Sequence, residues 1–375
     1  MKEISLYVHI PFCKQKCMYC DFPSYAGKEK YMDDYIEALN EELLKKREHY
    51  LIRSIFIGGG TPSYLDEKNL ESLLLTLNKL NFKENVEFTI ECNPGTLTRE
   101  KLEIMKKYNI NRLSIGLQST NNMLLKDIGR IHTYEIFKNN FLLARQVGFE
   151  NINVDLMFGL PNQSLEEWRN TLLEIAKLSP EHISAYSLII EEGTCFYNLY
   201  NADKLNLPSE EIEREMYICT KEVLNKHGYN QYEISNYSKP NKECLHNKIY
   251  WSCKEYLGVG ASASSFINNA RIKNIDDIDK YIKNISRDES IVEEVHENNI
   301  KDSMEEFMFM GLRMTEGIDI NEFAKRFDED IYKVYGGVIE KYINKELLAS
   351  KEGKLYLTSK GIELSNYVMS DFILT

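Results

Sequence analysis

Cys13, Cys17 and Cys20 stand at C-x3-C-x2-C spacing within the segment YVHIPFCKQKCMYCDF. Thiolates this close on one loop can wrap a single inorganic cluster, because iron–sulfur clusters are held by cysteine sulfur. A cube of four irons takes four ligands and the local motif offers three, since Asp21 and Phe22 follow and no fourth cysteine is near. One iron is then left for a ligand that is not protein, a catalytic geometry rather than that of a pure electron carrier. Two plainer readings stand beside it. A structural zinc site closes four ligands, often as paired C-x2-C knuckles; no second knuckle occurs, although His9 is available to a Cys3His set. Three unrelated thiols is the other. Ligand spacing favours the cluster.

Other residue types in the chain also have chemistry to offer. Gly58, Gly59 and Gly60, followed by Thr61 and Pro62, form a tripeptide turn where no Cβ blocks a ligand from the backbone; a tight turn without a ligand explains them equally well. Glu91 ends the apolar run VEFTI, and Asp155 lies within NVDLMFGLP. A buried carboxylate is costly unless paired, so each needs a protein partner or a ligand such as an amine or a ribose hydroxyl. His246 opens HNKIYW, with Tyr250 and Trp251 close behind and Cys244 two residues before it. A histidine among aromatics is more often hydrogen-bonded structure than a metal ligand, yet haem iron accepts either His or thiolate. Cys92, Cys195, Cys219 and Cys253 show no spacing of their own and read as buried thiols.

Something must hold these groups together. Strands are expected at 5–10, 54–57, 86–91, 112–117, 152–157 and 182–190, with amphipathic helices at 31–48, 69–80, 100–107, 134–147 and 165–177 between them. Ser164 and Glu167 form a capping box at the start of the last of these helices. Alternating strand and helix predicts a parallel sheet with helices packed outside it. Gly58–Gly60, Glu91, Gln118 and Asp155 recur at or near the carboxyl ends of successive strands. A (β/α) barrel assembles its site at that end, whereas a doubly wound sheet concentrates its ligand at one switch point. The expected architecture is therefore α/β: an open, six-unit partial TIM barrel over residues 1–200. An extension over 201–295 is read as one helix at 207–227, a strand near 231–237 and an irregular aromatic stretch through HNKIYW. A polar boundary at 293–299 precedes a small winged-helix-like domain over 296–375, whose first helix is opened by a Ser303/Glu306 capping box and runs through Arg313.

Composition narrows the partners. Hydrophobic residues make up 43% and charged residues 28% of the 375, the profile of a globular enzyme. A net charge of −12, from 58 acidic and 46 basic side chains, argues against a general nucleic-acid surface. No apolar run approaches the ~18 residues of a membrane span, and the N-terminus reads straight into a strand. Eight cysteines, three of them poised for a cluster, fit a reducing compartment. A cytoplasmic protein that is not integral to the membrane is expected.

The motif YxHIPFCxxxCxYC, the GGGTP loop and the six-unit barrel together resemble the radical S-adenosylmethionine (SAM) superfamily. Order and spacing along essentially the whole chain resemble its branch containing oxygen-independent coproporphyrinogen dehydrogenase and the HemW haem chaperones. The dehydrogenase carries a further cysteine, C-x3-C-x2-C-x-C, and an extended arm before its first strand; this chain has Phe22 at that position and only twelve residues before Cys13. CDF after the cluster motif and H-N-x-x-Y-W are both intact, as in HemW proteins. The resemblance implies a [4Fe-4S] cluster on Cys13, Cys17 and Cys20, with SAM on the open iron. Tyr7 and Tyr19 match positions lining the cofactor pocket, Gly59, Gly60 and Thr61 the glycine-loop contacts, and Glu91 the carboxylate of the third strand. Gln118, Arg130 and Asp155 match polar positions that in the dehydrogenase meet a second SAM. His246, Asn247, Tyr250 and Trp251 match the haem motif. The implied function is a haem chaperone delivering haem to acceptors such as respiratory enzymes; the alternative is radical decarboxylation of coproporphyrinogen III to protoporphyrinogen IX.

Overall fold

A computed structural model describes residues 1–374. Six strands, β1 (Lys2–Ile10), β2 (Tyr50–Gly59), β3 (Phe82–Cys92), β4 (Arg112–Gln118), β5 (Ile152–Phe158) and β6 (His182–Ser187), pair in parallel and in chain order. β1 and β6 do not pair with each other; each is continued outward by further strands, so the barrel stays open. The expected partial barrel is present, with each strand within a few residues of its predicted span.

The side-chain period of two explains both the barrel and its site. One face of the strands carries Ile4, Leu6, Val8, Ile55, Ile57, Phe88, Ile90, Leu113, Ile115, Val154 and Leu156, all buried under the surrounding helices. The other face carries Tyr7, His9, Phe56, Glu87, Glu91, Arg112, Ser114, Asn153, Asp155, His182 and Ser184. Barrel interiors of this class are commonly filled by branched apolar residues; here the interior is polar and hydrogen-bonded, with a large share of the apolar burial placed outside it. Helices Met32–Lys46, Glu67–Leu77, Arg99–Lys107, Tyr134–Val147 and Leu165–Leu178 form the outer layer. The Ser164/Glu167 capping box closes as expected.

Beyond the barrel the outcome is mixed. Helix Glu210–Lys226 matches expectation, but the strand near 231–237 is two short antiparallel pieces, Asn230–Gln231 and Asn236–Ser238, extending the sheet past β6. The stretch read as irregular contains helix Leu245–Trp251 and strand Tyr256–Val259, which pairs in parallel with β1. The polar boundary is an exposed edge strand, Val292–Glu297, whose charges keep that edge soluble. In the C-terminal module the first helix is Ile300–Gly311, opened by Asn299 and Asp302 rather than by Ser303 and Glu306. Asn299 lies four residues earlier and satisfies the same reciprocal geometry, so Ser303 falls inside the helix. The three-stranded sheet of this module and helices Ile320–Phe327 and Ile331–Asn344 enclose a second apolar core around Phe307, Phe323, Phe327 and Tyr335. The module is joined to the sheet extension by main-chain bonds from Ile234 to Arg313 (3.1 Å) and from Thr315 to Tyr232 (3.0 Å).

Candidate functional site

The cysteine loop leaves β1 at Ile10 and is pinned at its base, where Phe12–Cys13 pairs in parallel with Tyr25–Ala26. His9 braces it from within: its ring bonds Pro23 O through Nε2 (2.8 Å) and the Tyr7 hydroxyl through Nδ1 (3.0 Å). Burial holds the His9 pKa below its ordinary value. With both nitrogens engaged, His9 does not complete a Cys3His zinc site. Among the described residues no three His, Cys, Asp or Glu side chains gather around a point where one metal ion would sit.

The glycine loop presses on the same structure. Gly60 N–H donates to Ile10 O and Thr61 N–H to Phe12 O, each at 2.8 Å, so β2 continues its pairing onto the cysteine loop. Gly59 has φ +107°, and a Cβ there would lie 2.5 Å from the His9 ring. A Cβ on Gly60 would lie 2.8 Å from Phe12 O and 3.1 Å from Cys13 Sγ. The close backbone approach that these glycines permit is thus, first, the protein's own. Around the sulfurs, the Thr61 hydroxyl lies 3.4 Å from Cys13 Sγ, and Arg130 donates to Cys17 Sγ at 3.6 Å while anchored on Asn93 Oδ1 and Gly116 O. Burial pushes the Cys20 thiol up, and the neighbouring Cys17 and Cys13 thiolates act in the same direction. Burial likewise raises the pKa of Tyr19, which packs beside Cys17 and Arg130.

Beneath this loop a cavity of ≈ 210 Å³ is lined by Tyr7, Gly59, Glu91, Asp155 and Asn247, together with Phe22, Arg112 and Tyr186. Glu91 is pushed up to about 8, chiefly by burial and then by Asp155; the Gly59 N–H, 3.1 Å from its Oε2, and Arg112 oppose the rise. Burial also raises Asp155, against hydrogen bonds from Asn153 (2.7 Å) and Ser114 (3.1 Å). The cavity therefore holds two buried carboxyls that a cationic ligand group would relieve. Thr61 and Arg130 face a separate small cleft beside Cys17. Gln118 lines neither; it is buried at the end of β4 with φ +76°, a left-handed conformation costly for a residue with a Cβ.

Helix Leu245–Trp251 closes the opposite end of the barrel. Glu87 on β3 accepts the N–H groups of Leu245 and His246, both at 2.9 Å. His246 is fully buried, with Nδ1 2.9 Å from the Ser54 hydroxyl and Nε2 2.8 Å from the Tyr250 hydroxyl. Burial, with Arg112 nearby, drives its pKa down to about 3, so the ring is neutral. Asn247 reaches the barrel cavity, whereas Tyr250 and Trp251 border a different hollow on the outside of the helix. The guanidinium of Arg313 stacks 4.3 Å from the Trp251 ring, and Arg313 also approaches buried Glu233 at 3.7 Å. Sequence reasoning joined His246, Asn247, Tyr250 and Trp251 as one haem site; the structure keeps His246 and Tyr250 in contact, while Asn247 borders the barrel cavity and Tyr250 and Trp251 border the outer hollow.

Sequence reasoning weighed His9 only as a zinc ligand, not as the brace it is, and missed Asn93, Arg112, Ser114, Asn153 and Tyr186. Their signal was available in the alternation along each strand: in SLYVHI and INVDLMF the polar residues occupy the inward register.

An open six-strand barrel with a three-cysteine loop at the carboxyl end of its first strand defines a radical SAM protein, and the radical SAM superfamily model matches residues 7–175. The model of the HemN C-terminal domain matches residues 300–364. The chain is 39% identical to a protein named heme chaperone HemW of Bacillus subtilis, over 98% of this chain and 99% of that protein. It is also 39% identical to the Lactococcus lactis protein of the same name, over 100% and 98%. Within the superfamily, then, the chain belongs to the HemW family. In fold it is similar to coproporphyrinogen III oxidase (HemN) from Escherichia coli, with a TM-score of 0.86 at 22% identity, covering 99% of this chain and 90% of that one. Radical SAM proteins bind a [4Fe-4S] cluster and SAM. The residues present fit both groups: three thiols on one braced loop beside Arg130, and a cavity whose two buried carboxyls, raised by burial, suit the sulfonium and ammonium charges of SAM. No helix among the described residues is long and apolar enough to cross a membrane.

Proposed function

We propose that this chain is a cytoplasmic haem chaperone that binds haem and passes it to haem-requiring acceptors such as respiratory enzymes. The observation that carries the reading is full-length likeness, at 39% identity, to two proteins named heme chaperone HemW, in a chain that keeps HNKIYW and has Phe22 where a fourth cysteine would stand.

In this reading Cys13, Cys17 and Cys20 hold the cluster. When bound and reduced, the cluster supplies an electron for the cleavage of SAM. Thr61 and Arg130 stabilise the thiolates that carry it, through their contacts with Cys13 and Cys17. Tyr7, Gly59, Glu91 and Asp155 receive SAM in the barrel cavity, with Glu91 and Asp155 facing its positive charges. Tyr19 and Gly60 pack around the cysteine loop, and Gln118 closes the end of β4 outside that cavity. Protonated at neutral pH, Glu91 loses its proton as a cationic ligand arrives, so binding releases a proton from its carboxyl. The haem segment is HNKIYW: His246 and Asn247 fix it to the barrel, and Tyr250 and Trp251 present aromatic surface.

Ferric haem titrated anaerobically into the cluster-loaded chain should bind in a 1:1 ratio, and a haem-free acceptor added afterwards should take the haem from it. A chain that binds no haem above a non-haem-binding control protein sinks the proposal.

A further inference from the structure

The outer face of helix Leu245–Trp251 borders a hollow that nothing in the barrel chemistry uses. This cavity of ≈ 220 Å³ lies between that helix, the strands Tyr256–Val259 and Ser264–Ile267, and helix Ile300–Gly311. Its walls are aromatic: Tyr250, Trp251, Tyr256 and Phe266, with the Tyr250 and Tyr256 rings edge to face at 4.6 Å. Two cations border it, the exposed Lys254 and the half-buried Arg271, which pairs through Nε with Glu306 at 2.7 Å and donates through Nη1 to the Tyr256 hydroxyl at 3.3 Å, leaving Nη2 as its free arm 4.9 Å (guanidinium carbon) from the Phe266 ring. Two sulfurs border it, Cys253 and Met310. The Cys253 thiol is committed to Glu306 O at 3.4 Å, whereas Met310 is half-buried on the wall.

We propose that this outer cavity, rather than the His246 imidazole, receives haem: one edge of the macrocycle enters between the aromatic rings, Lys254 and Arg271 meet the propionates, and Met310 offers sulfur to the iron. The inference rests on the reading that this chain binds haem and assigns where. Three observations carry it. Flat aromatic walls with the Lys254 ammonium and the free arm of Arg271 beside them match a planar dicarboxylate. Both nitrogens of the fully buried His246 are already bonded, Nδ1 to the Ser54 hydroxyl and Nε2 to the Tyr250 hydroxyl; iron at Nε2 would take the place of Tyr250, and iron at Nδ1 that of Ser54. Thioether sulfur ligates haem iron without losing a proton, as in cytochromes c. The volume is below the ~300 Å³ at which pockets enclose a whole ligand, so most of the macrocycle stays outside, accessible to an acceptor. Partial cover is what a carrier that must release its cargo requires.

The test uses the full cluster-loaded chain under anaerobic conditions, with ferric haem followed by its Soret band. Lys254→Glu, on an exposed side chain, should raise the haem Kd about tenfold by replacing an attraction with a repulsion. Met310→Leu keeps the volume and should shift the Soret maximum. Thermal melts of the haem-free variants, matching the parent, establish that the fold is intact. Both variants behaving as the parent would overturn the assignment, as would His246→Gln alone abolishing the parent's Soret shift. If the parent itself binds no haem, the chaperone reading falls first and this site with it; if it binds and only the cavity variants are silent, the reading stands and the site is wrong.

Discussion

Glu91→Gln isolates the electrostatics of the barrel cavity. Glutamine has the shape of a protonated glutamate and can still accept the Gly59 N–H, so the substitution removes ionisation with little change in packing. Glu91 is raised from an ordinary 4.5 to about 8 by burial and by Asp155. At 1.36 kcal/mol for each tenfold change in proton affinity, this is ~5 kcal/mol against the ionised form. Glu91 and Asp155 titrate as a pair beside Arg112, so about 2 kcal/mol is the working magnitude for one site. The sign follows from linkage. Between pH 4.5 and about 8 the folded chain holds a proton that the unfolded chain has lost, so stability falls as pH rises through that window. Urea unfolding under anaerobic conditions at pH 5.5 and 8.5 should show the parent losing ~2 kcal/mol more than Glu91→Gln over that interval. SAM, by supplying positive charge, should stabilise the parent at pH 8.5 more than the variant. Parallel pH dependences for the two proteins would refute the claim that Glu91 carries the penalty.

Other expectations follow from single contacts. Gly59→Ala combines a left-handed φ with a Cβ 2.5 Å from the His9 ring; it should displace the brace of the cysteine loop and lower the iron retained after reconstitution, measured by iron and sulfide analysis. Cys17→Ala should retain almost none of the roughly four irons per chain expected of a cube held by thiolates, while a parent that takes up one zinc and no sulfide would contradict the cluster. His246→Ala opens a hole at a fully buried position and takes the partner of the Tyr250 hydroxyl, while Ser54 keeps its bond to Ser5, a cost of about 3 kcal/mol; a lowered Tm, partly rescued by His246→Gln, is the expected readout, and an unchanged Tm would show that the imidazole is not structural.

Much of this was legible in the chain because it is local or periodic. The alternation in SLYVHI and INVDLMF placed β1 and β5 and, with attention to register, their inward polar residues. The C-x3-C-x2-C loop announced itself by spacing alone. The rest depends on partners far away in sequence. His246 is fixed by Ser54, and helix Leu245–Trp251 by Glu87, across 158 or more positions of chain. No capping side chain marks that helix, since Cys244 precedes it without a side-chain cap bond, and its glycine- and serine-rich surroundings read as loop. Two capping patterns four residues apart, at Asn299 and Ser303, could not be ranked from sequence; the helix starts at the earlier one. The glycine loop was read toward a ligand because its nearest neighbour, the backbone of Phe12, is separated from it by forty-eight residues.

The central claim is that a radical SAM barrel with Phe22 after its cysteine loop carries haem rather than converting a porphyrinogen. Its most direct test is anaerobic incubation of the cluster-loaded chain with coproporphyrinogen III, SAM and a reductant, followed by oxidation and chromatography of the porphyrins. The account predicts coproporphyrin alone, at the level of a protein-free control, from a preparation that binds ferric haem 1:1. Accumulation of protoporphyrin with repeated turnover would contradict it.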